Sequence, residues 1–103
     1  MIKILLILIL IFNIYFYLDL VLPPKIKVIS PKNEEIVDKS YVLFRGYADK
    51  RGDLFINEIP ILFDDQGYFE KIFYLKKGVN KFIIKEKKFW GQEKIIERKV
   101  IYL

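Results

Sequence analysis

The first 22 residues form an almost uninterrupted apolar segment, and no other feature constrains the fold as strongly. Only Lys3, Asn13 and Asp19 interrupt it. The part from Ile4 to Leu22 would be about 28 Å long as a helix, close to the hydrocarbon thickness of a lipid bilayer. Because apolar side chains occupy every side of this helix, the pattern differs from the single stripe of a helix that packs on a globular core.

The segment at 1–22 is therefore interpreted as a transmembrane signal anchor in a cell membrane. Pro23 and Pro24 end the helix, because proline removes a backbone donor and restricts the residue before it. Lys3 supplies the charged start of an export signal, but no Ala, Gly or Ser precedes Ser30 to form a cleavage site. An uncleaved anchor is favoured, and a cleaved signal is the alternative. Lys3 and the amino terminus favour an N-in orientation, with the remaining residues outside the cytoplasm.

Composition excludes several kinds of catalytic site. The chain contains no cysteine and no histidine, so neither a disulfide nor a zinc site built from those side chains can form. Serine occurs only at Ser30 and Ser40, and no Ser–His or Cys–His nucleophile can be assembled. Neither enzymatic activity nor a cofactor is expected. The net charge of +5 comes from lysines scattered among glutamates rather than from a basic helix, so no nucleic-acid partner is predicted.

Beyond Pro24 the sequence changes to short strands separated by turns. Alternating or β-branched segments are expected to form strands at 25–30, 41–48, 54–56, 59–63, 68–75, 79–85 and 93–102. Asn57-Glu58 is a two-residue hairpin signal, and Pro60 confines its strand to the edge of a sheet. Turn signals at intervals of about 8–12 residues are typical of a β-sandwich. The pattern predicts one all-β domain at 23–103, an antiparallel β-sandwich of about seven strands.

The two-residue period of these strands assigns one set of side chains to the core. The expected core contains Ile26, Val28, Val42, Phe44, Phe69, Phe73, Leu75, Phe82, Ile84, Ile96 and Val100. Burying each of them contributes about 1.5–3 kcal/mol before conformational entropy is subtracted. For about 80 residues without a disulfide, this is enough for a domain of marginal stability.

Several short segments carry a family resemblance through their order and spacing. They are Ile26-Lys27-Val28-Ile29-Ser30-Pro31, Phe44-Arg45-Gly46-Tyr47-Ala48, Ile56-Asn57, Asp65-Gln66-Gly67-Tyr68-Phe69, Leu75-Lys76-Lys77-Gly78-Val79-Asn80 and Trp90-Gly91. The chain from Pro24 to Tyr102 resembles the bacterial Ig-like modules of the glucodextranase domain B type. Gly67 and Gly78 allow positive φ in turns, and Asn80 can hydrogen-bond the adjacent turn backbone. The resemblance implies an Ig-like sandwich that serves as an extracytoplasmic accessory or binding module rather than as a catalytic one.

Aromatic residues supply the candidate binding surface. Tyr41, Tyr68, Tyr74 and Trp90 are predicted to lie on outward strand positions or in a loop, where large amphipathic rings can anchor a protein or stack on a sugar. The favoured hypothesis is a membrane-anchored, extracytoplasmic Ig-like module that serves as a structural or protein-interaction domain at the cell surface. The alternative is a carbohydrate-binding accessory module, whose partner would be a cell-wall glycan.

Two short motifs that contain aspartate each have a functional interpretation and an ordinary structural one. Arg51-Gly52-Asp53 is a potential tripeptide for binding an adhesion receptor. A glycine between charged residues is, however, typical of an exposed loop. Asp64-Asp65, with Asp49 or Asp53, would offer hard oxygen ligands to calcium. Aspartates that precede a glycine are common in turns, and no spaced run of aspartates is present, so no metal site is predicted.

Overall fold

The computed structural model describes the whole chain except Trp90 and the side chains of Asp19 and Leu20. In the described residues, helix α1 (Ile2–Val21) is followed by eight strands. The strands are β1 (Lys27–Ser30), β2 (Glu35–Val37), β3 (Tyr41–Tyr47), β4 (Gly52–Ile56), β5 (Ile59–Ile61), β6 (Tyr68–Tyr74), β7 (Gly78–Lys88) and β8 (Glu93–Tyr102).

Helix α1 begins at Ile2 rather than at Ile4, and it ends at Val21, before Leu22 adopts an extended conformation. Its described side chains, through Leu18, are all exposed, so the sandwich does not cover them. Among the residues that the structure describes in full, no helix is both long enough and apolar enough to cross a membrane. The transmembrane span predicted for 4–22 is not confirmed by this structure.

The strands form two sheets, as the turn spacing predicted. The small sheet has the order β1-β3-β6, and the large sheet has the order β2-β8-β7-β4-β5. Two expectations are corrected: the described residues contain eight strands rather than about seven, and β2 pairs with β8 in parallel rather than antiparallel register. Because β2 is a three-residue edge strand, its position depends on β8 and not on a strand pattern of its own.

The core lies between the two sheets and contains most of the predicted residues. Eight of them are buried, whereas Val28, Phe73 and Ile96 are only partly buried at its margin. The aromatic rings of Phe44, Phe73 and Phe82 meet there, with centroids 4.7 to 5.4 Å apart. The prediction missed Ala48, Leu54, Ile56 and Ile61, which complete the core from the end of β3, from β4 and from β5.

The turns predicted at Gly67 and at Gly78 to Asn80 have the expected backbone conformation and hydrogen bonds. Gly67 and Gly78 have φ values of +86° and +101°, which favour glycine. The Asn80 side chain accepts a hydrogen bond from the Lys76 N–H at 3.0 Å and donates one to the Lys76 carbonyl at 2.8 Å. These bonds close the turn between β6 and β7, as the sequence predicted.

Gly46 allows β1 and β3 to approach closely, which gives a test of the small sheet. A Cβ atom at this position would lie 2.1 Å from the Lys27 carbonyl oxygen, a backbone atom that cannot rotate away. We expect Gly46→Ala to displace β1 and to lower the free energy of unfolding by about 1–3 kcal/mol. Denaturant unfolding of the full chain in detergent measures this, with Leu43→Ala on the exposed face of β3 as the control. Equal stability of the two variants would contradict the close approach.

Candidate functional site

The outer face of the small sheet carries a ladder of paired side chains, here called the tyrosine face. β3 and β6 pair in antiparallel register, which puts each outward residue of one strand beside an outward residue of the other. The rows of the face are Tyr41–Tyr74, Leu43–Ile72, Arg45–Glu70 and Tyr47–Tyr68. Aromatic rows therefore lie at both ends, and an aliphatic row and a charged row lie between them.

The tyrosine face is open to solvent although most of it is apolar. Tyr74 is 84% exposed and Ile72 is 51% exposed, and Tyr41 and Leu43 are exposed as well. Contiguous apolar surface of this kind is typical of a protein or ligand contact, whereas single exposed apolar residues are ordinary. The core does not use these side chains, because the opposite face of the same strands supplies Val42, Phe44 and Phe69.

Local contacts order the tyrosines at both ends of this face. The Tyr47 and Tyr68 rings pack with centroids 5.4 Å apart and planes inclined by 60°. The Tyr68 hydroxyl donates a hydrogen bond to Glu70, and this bond is the main reason why the pKa of Tyr68 is raised. At the other end, the Lys39 ammonium lies 5.9 Å from the centroid of the Tyr41 ring.

The structure brings three of the four predicted aromatic residues onto one face. Tyr41, Tyr68 and Tyr74 all belong to the tyrosine face, whereas Trp90 lies outside the described residues. The prediction missed Tyr47 and the aliphatic row. Alternation within 41–47 puts Tyr47 on the same face of the strand as Tyr41. Only the pairing of β3 with β6 shows that the two strands share this surface.

The outer face of the large sheet has a different chemistry. Lysines and glutamates form exposed pairs across β7 and β8, with 3.7 Å from Lys81 Nζ to Glu97 Oε1 and 4.0 Å from Lys85 Nζ to Glu93 Oε2. A shallow groove of about 770 Å³ lies on this face, between Phe55 on one side and Ile95 on the other. Because charged side chains interrupt its apolar lining, this face is less suited to a dry protein contact than the tyrosine face.

A buried carboxylate lies between the sheets, where β7 is longer than predicted. β7 continues to Lys88 instead of ending at Lys85, and its alternation turns Glu86 inward. Glu86 is fully buried; its Oε1 accepts a hydrogen bond from the Asp49 N–H, and its Oε2 has no hydrogen-bond partner among the described atoms. Gly52 packs against this side chain, because a Cβ atom there would lie 2.9 Å from Glu86 Cγ.

The surroundings of Glu86 favour its protonated form. Burial raises the pKa of its carboxyl from the ordinary value of 4.5 to about 7; the Asp49 N–H bond lowers it, and the charges of Asp49 and Asp53 raise it. Lys94 is the cross-strand neighbour of Glu86 in β8. Since the Oε2 atom has no partner, ionisation of this carboxyl in the folded protein is costly.

The Arg51-Gly52-Asp53 tripeptide is not at the tip of a free loop. β4 begins at Gly52, so the glycine and the aspartate belong to a strand that pairs with β7. The Arg51 guanidinium donates from Nε to Asp49 Oδ1 at 3.2 Å, and Asp49 Oδ1 also accepts the Arg51 backbone N–H at 3.1 Å. These contacts hold Arg51 close to the turn, which corrects the loop predicted for 49–53.

The Asp64-Asp65 motif forms a turn. Asp64 Oδ1 accepts hydrogen bonds from the backbone N–H groups of Gln66 and Tyr68, both at 2.9 Å. This arrangement fixes the entry to β6 and uses an oxygen that a calcium ion would require. Within the described part of the chain, no group of three or more metal-binding side chains converges.

Comparison with known proteins adds no relative. No protein-family model matches the chain, and no curated protein is similar to it. The resemblance to modules of the glucodextranase domain B type stays a prediction.

Proposed function

We propose that this protein is an accessory module held at a cell membrane by α1, with an Ig-like sandwich that contacts another protein outside the cytoplasm. The single observation that carries this proposal is the exposed tyrosine face. Two packed sheets of mainly antiparallel strands support the Ig-like assignment.

The chemistry of the tyrosine face suits a protein partner. Tyrosine offers a large rigid contact area at a low cost in side-chain entropy, and aromatic residues are enriched at interface hot spots. The Leu43–Ile72 row would form a dry centre, and Arg45 with Glu70 would supply oriented charges beside it. A sugar site at Tyr41 and Tyr74 would instead require polar groups beside their rings, and the row next to them, Leu43–Ile72, is aliphatic.

The surface of α1 supports attachment to a membrane. Its described side chains are apolar on every side except at Lys3 and Asn13, and all of them are exposed. An exposed surface of this kind is unfavourable in water, at about 25 cal/mol per Å² of apolar area, and lipid is a medium that would cover it uniformly. Lys3 at the start of the helix favours the N-in orientation, with the sandwich on the outer side.

Site-specific photocrosslinking tests the proposed contact. A photoreactive amino acid replaces Ile72 in the centre of the tyrosine face, and the full chain is irradiated in native membranes. The control places the same group at Ile95, which is 56% exposed on the large sheet, where Ile72 is 51% exposed. We expect a discrete protein adduct from position 72 only. Adducts of equal yield from both positions, or from neither, would contradict the proposal.

A second variant separates a protein partner from a glycan. Ile72→Ser removes the aliphatic centre but keeps all the tyrosines, so it is expected to weaken a protein contact by about tenfold. Glycan binding through stacked rings would persist in this variant and would be lost in Tyr74→Ser, whose ring is 84% exposed. Loss of binding to isolated cell-wall glycan only in Tyr74→Ser would favour the carbohydrate-binding alternative.

A further inference from the structure

Three lysines line an open surface depression at the junction between α1 and the sandwich, here called the junction cavity. The cavity has a volume of about 400 Å³, and Lys25, Lys27 and Lys94 line it together with Pro23 and Tyr47. No acidic residue is among its lining side chains. The cavity lies immediately after the last turn of α1, because Leu22 and Pro23 also contribute to its wall.

The fold brings these lysines together from both sheets. Lys27 belongs to β1 in the small sheet, and Lys94 belongs to β8 in the large sheet. Pro24 and Ile26 are buried, so the chain that connects α1 to β1 is held against the end of the sandwich. All three lysines are exposed, and their side chains therefore reach the cavity without burying a charge.

The three lysines of this cavity form no salt bridge with a carboxylate that the structure describes. Among the side chains that the structure describes, none of the three ammonium groups lies within 4.0 Å of a carboxylate. Asp49 accepts a hydrogen bond from the Lys25 backbone N–H, at 3.1 Å, and its other oxygen binds Arg51. An anion in this cavity would lie beside three lysines and Tyr47.

We propose that this junction cavity binds the phosphate of an anionic phospholipid headgroup. The inference rests on the proposed attachment of α1 to a membrane, because insertion of α1 places the cavity at the depth of the headgroups. Each lysine close to an anionic membrane surface strengthens the interaction by about fivefold. Tyr47 fits the same location, since tyrosine is enriched at membrane interfaces. A bound headgroup would fix the tilt of the sandwich relative to the membrane.

Lysine acylation in vesicles tests the assignment. The full chain is reconstituted in phosphatidylcholine vesicles with and without phosphatidylglycerol, and a brief treatment with a water-soluble acylating reagent is followed by mass spectrometry. We expect phosphatidylglycerol to protect Lys25, Lys27 and Lys94 severalfold. Lys50, near the same end but outside the cavity lining, is expected to react equally in both vesicles. Equal protection of Lys50 would mean diffuse adsorption and would overturn a specific site.

Two further arms separate the possible failures. Inorganic phosphate is added to the chain in lipid-free detergent, and protection of the same lysines at millimolar phosphate would assign the site to a free anion instead of a lipid. Alkaline extraction of the vesicles shows whether the chain is embedded at all. Release of the chain would overturn the proposed membrane attachment together with this inference, whereas retention without lysine protection would overturn this inference alone.

A matched pair of variants measures the lipid directly. Lys25→Gln/Lys27→Gln/Lys94→Gln removes the cavity charges, and Lys32→Gln/Lys76→Gln/Lys77→Gln removes the same number of exposed lysines elsewhere. We expect about tenfold less phosphatidylglycerol to copurify with the first variant than with the second. Equal lipid content in the two variants would contradict the headgroup site. It would mean that the lipid responds to the number of positive charges on the protein and not to their position.

Discussion

Replacing Phe82 with alanine is expected to lower the free energy of unfolding by about 3–5 kcal/mol, enough to unfold a domain of marginal stability. Phe82 is 4% exposed, and its ring lies 4.7 Å from the Phe44 ring and 5.4 Å from the Phe73 ring, measured between centroids. Alanine would leave a cavity at the point where the two sheets meet. Circular dichroism and denaturant unfolding of the full chain in detergent measure the loss.

An exposed phenylalanine provides the control for this core substitution. Phe89 is 87% exposed at the turn that follows β7, so Phe89→Ala loses little buried area and is expected to change stability by less than about 1 kcal/mol. A Phe82→Ala variant as stable as Phe89→Ala would show that the sheets do not pack through this aromatic contact.

Replacing Glu86 with glutamine is expected to stabilise the protein above neutral pH by up to about 3 kcal/mol, from a pKa difference of about 2.5 units at 1.36 kcal/mol each. Burial raises the pKa of Glu86 from 4.5 to about 7. The native carboxyl therefore holds its proton over a range in which the unfolded chain has released it. Glutamine keeps the shape of the protonated side chain and carries no charge at any pH.

The sign of the pH effect follows from proton binding. Between pH 4.5 and 7 the folded state binds more protons at Glu86 than the unfolded state, so stability falls as the pH rises through this range. Above the folded pKa both states are ionised at this residue, and the contribution of Glu86 no longer changes. The wild type is expected to lose stability across this window, and Glu86→Gln is expected to lose much less.

Denaturant unfolding at a series of pH values compares the two proteins. Glu97→Gln serves as the control, because this substitution removes one carboxylate charge from the exposed face of the large sheet. Glu97 Oε1 lies there, 3.7 Å from Lys81 Nζ. We expect the Glu97→Gln curve to follow the wild type within about 0.5 kcal/mol. Parallel pH dependences for Glu86→Gln and the wild type would show that Glu86 ionises normally in the folded protein.

Local sequence was sufficient for the features that depend on neighbouring residues. The apolar run predicted α1 within two residues at its start and one at its end. Strand alternation predicted the inward positions of Phe44, Phe69 and Phe82, because consecutive side chains of a strand point to opposite faces. The glycine and asparagine turns were also predictable, since positive φ and side-chain bonds to the turn backbone involve only a few adjacent residues.

The charged run Lys85–Lys88 shows where local pattern misleads. The strand predicted at 79–85 stops at the first residue of this run, yet β7 continues to Lys88 because β4 and β8 pair with it on both sides. Pairing on both sides satisfies the hydrogen-bonding groups of the β7 backbone and keeps its side chains alternating between the two faces. Glu86 therefore faces inward although a carboxylate prefers water. Its raised pKa is therefore a consequence of tertiary structure and not of the sequence nearby.

By itself, the sequence determined the apolar helix, the sandwich strands other than β2, most of the core and the outward direction of Tyr41, Tyr68 and Tyr74. Only the tertiary structure decided that these tyrosines share a face with Tyr47, and that lysines from two sheets line the junction cavity. The physical reason is the range of the interactions. Side-chain direction follows from the two-residue period of each strand, whereas strand pairing depends on contacts between residues that are distant in the chain.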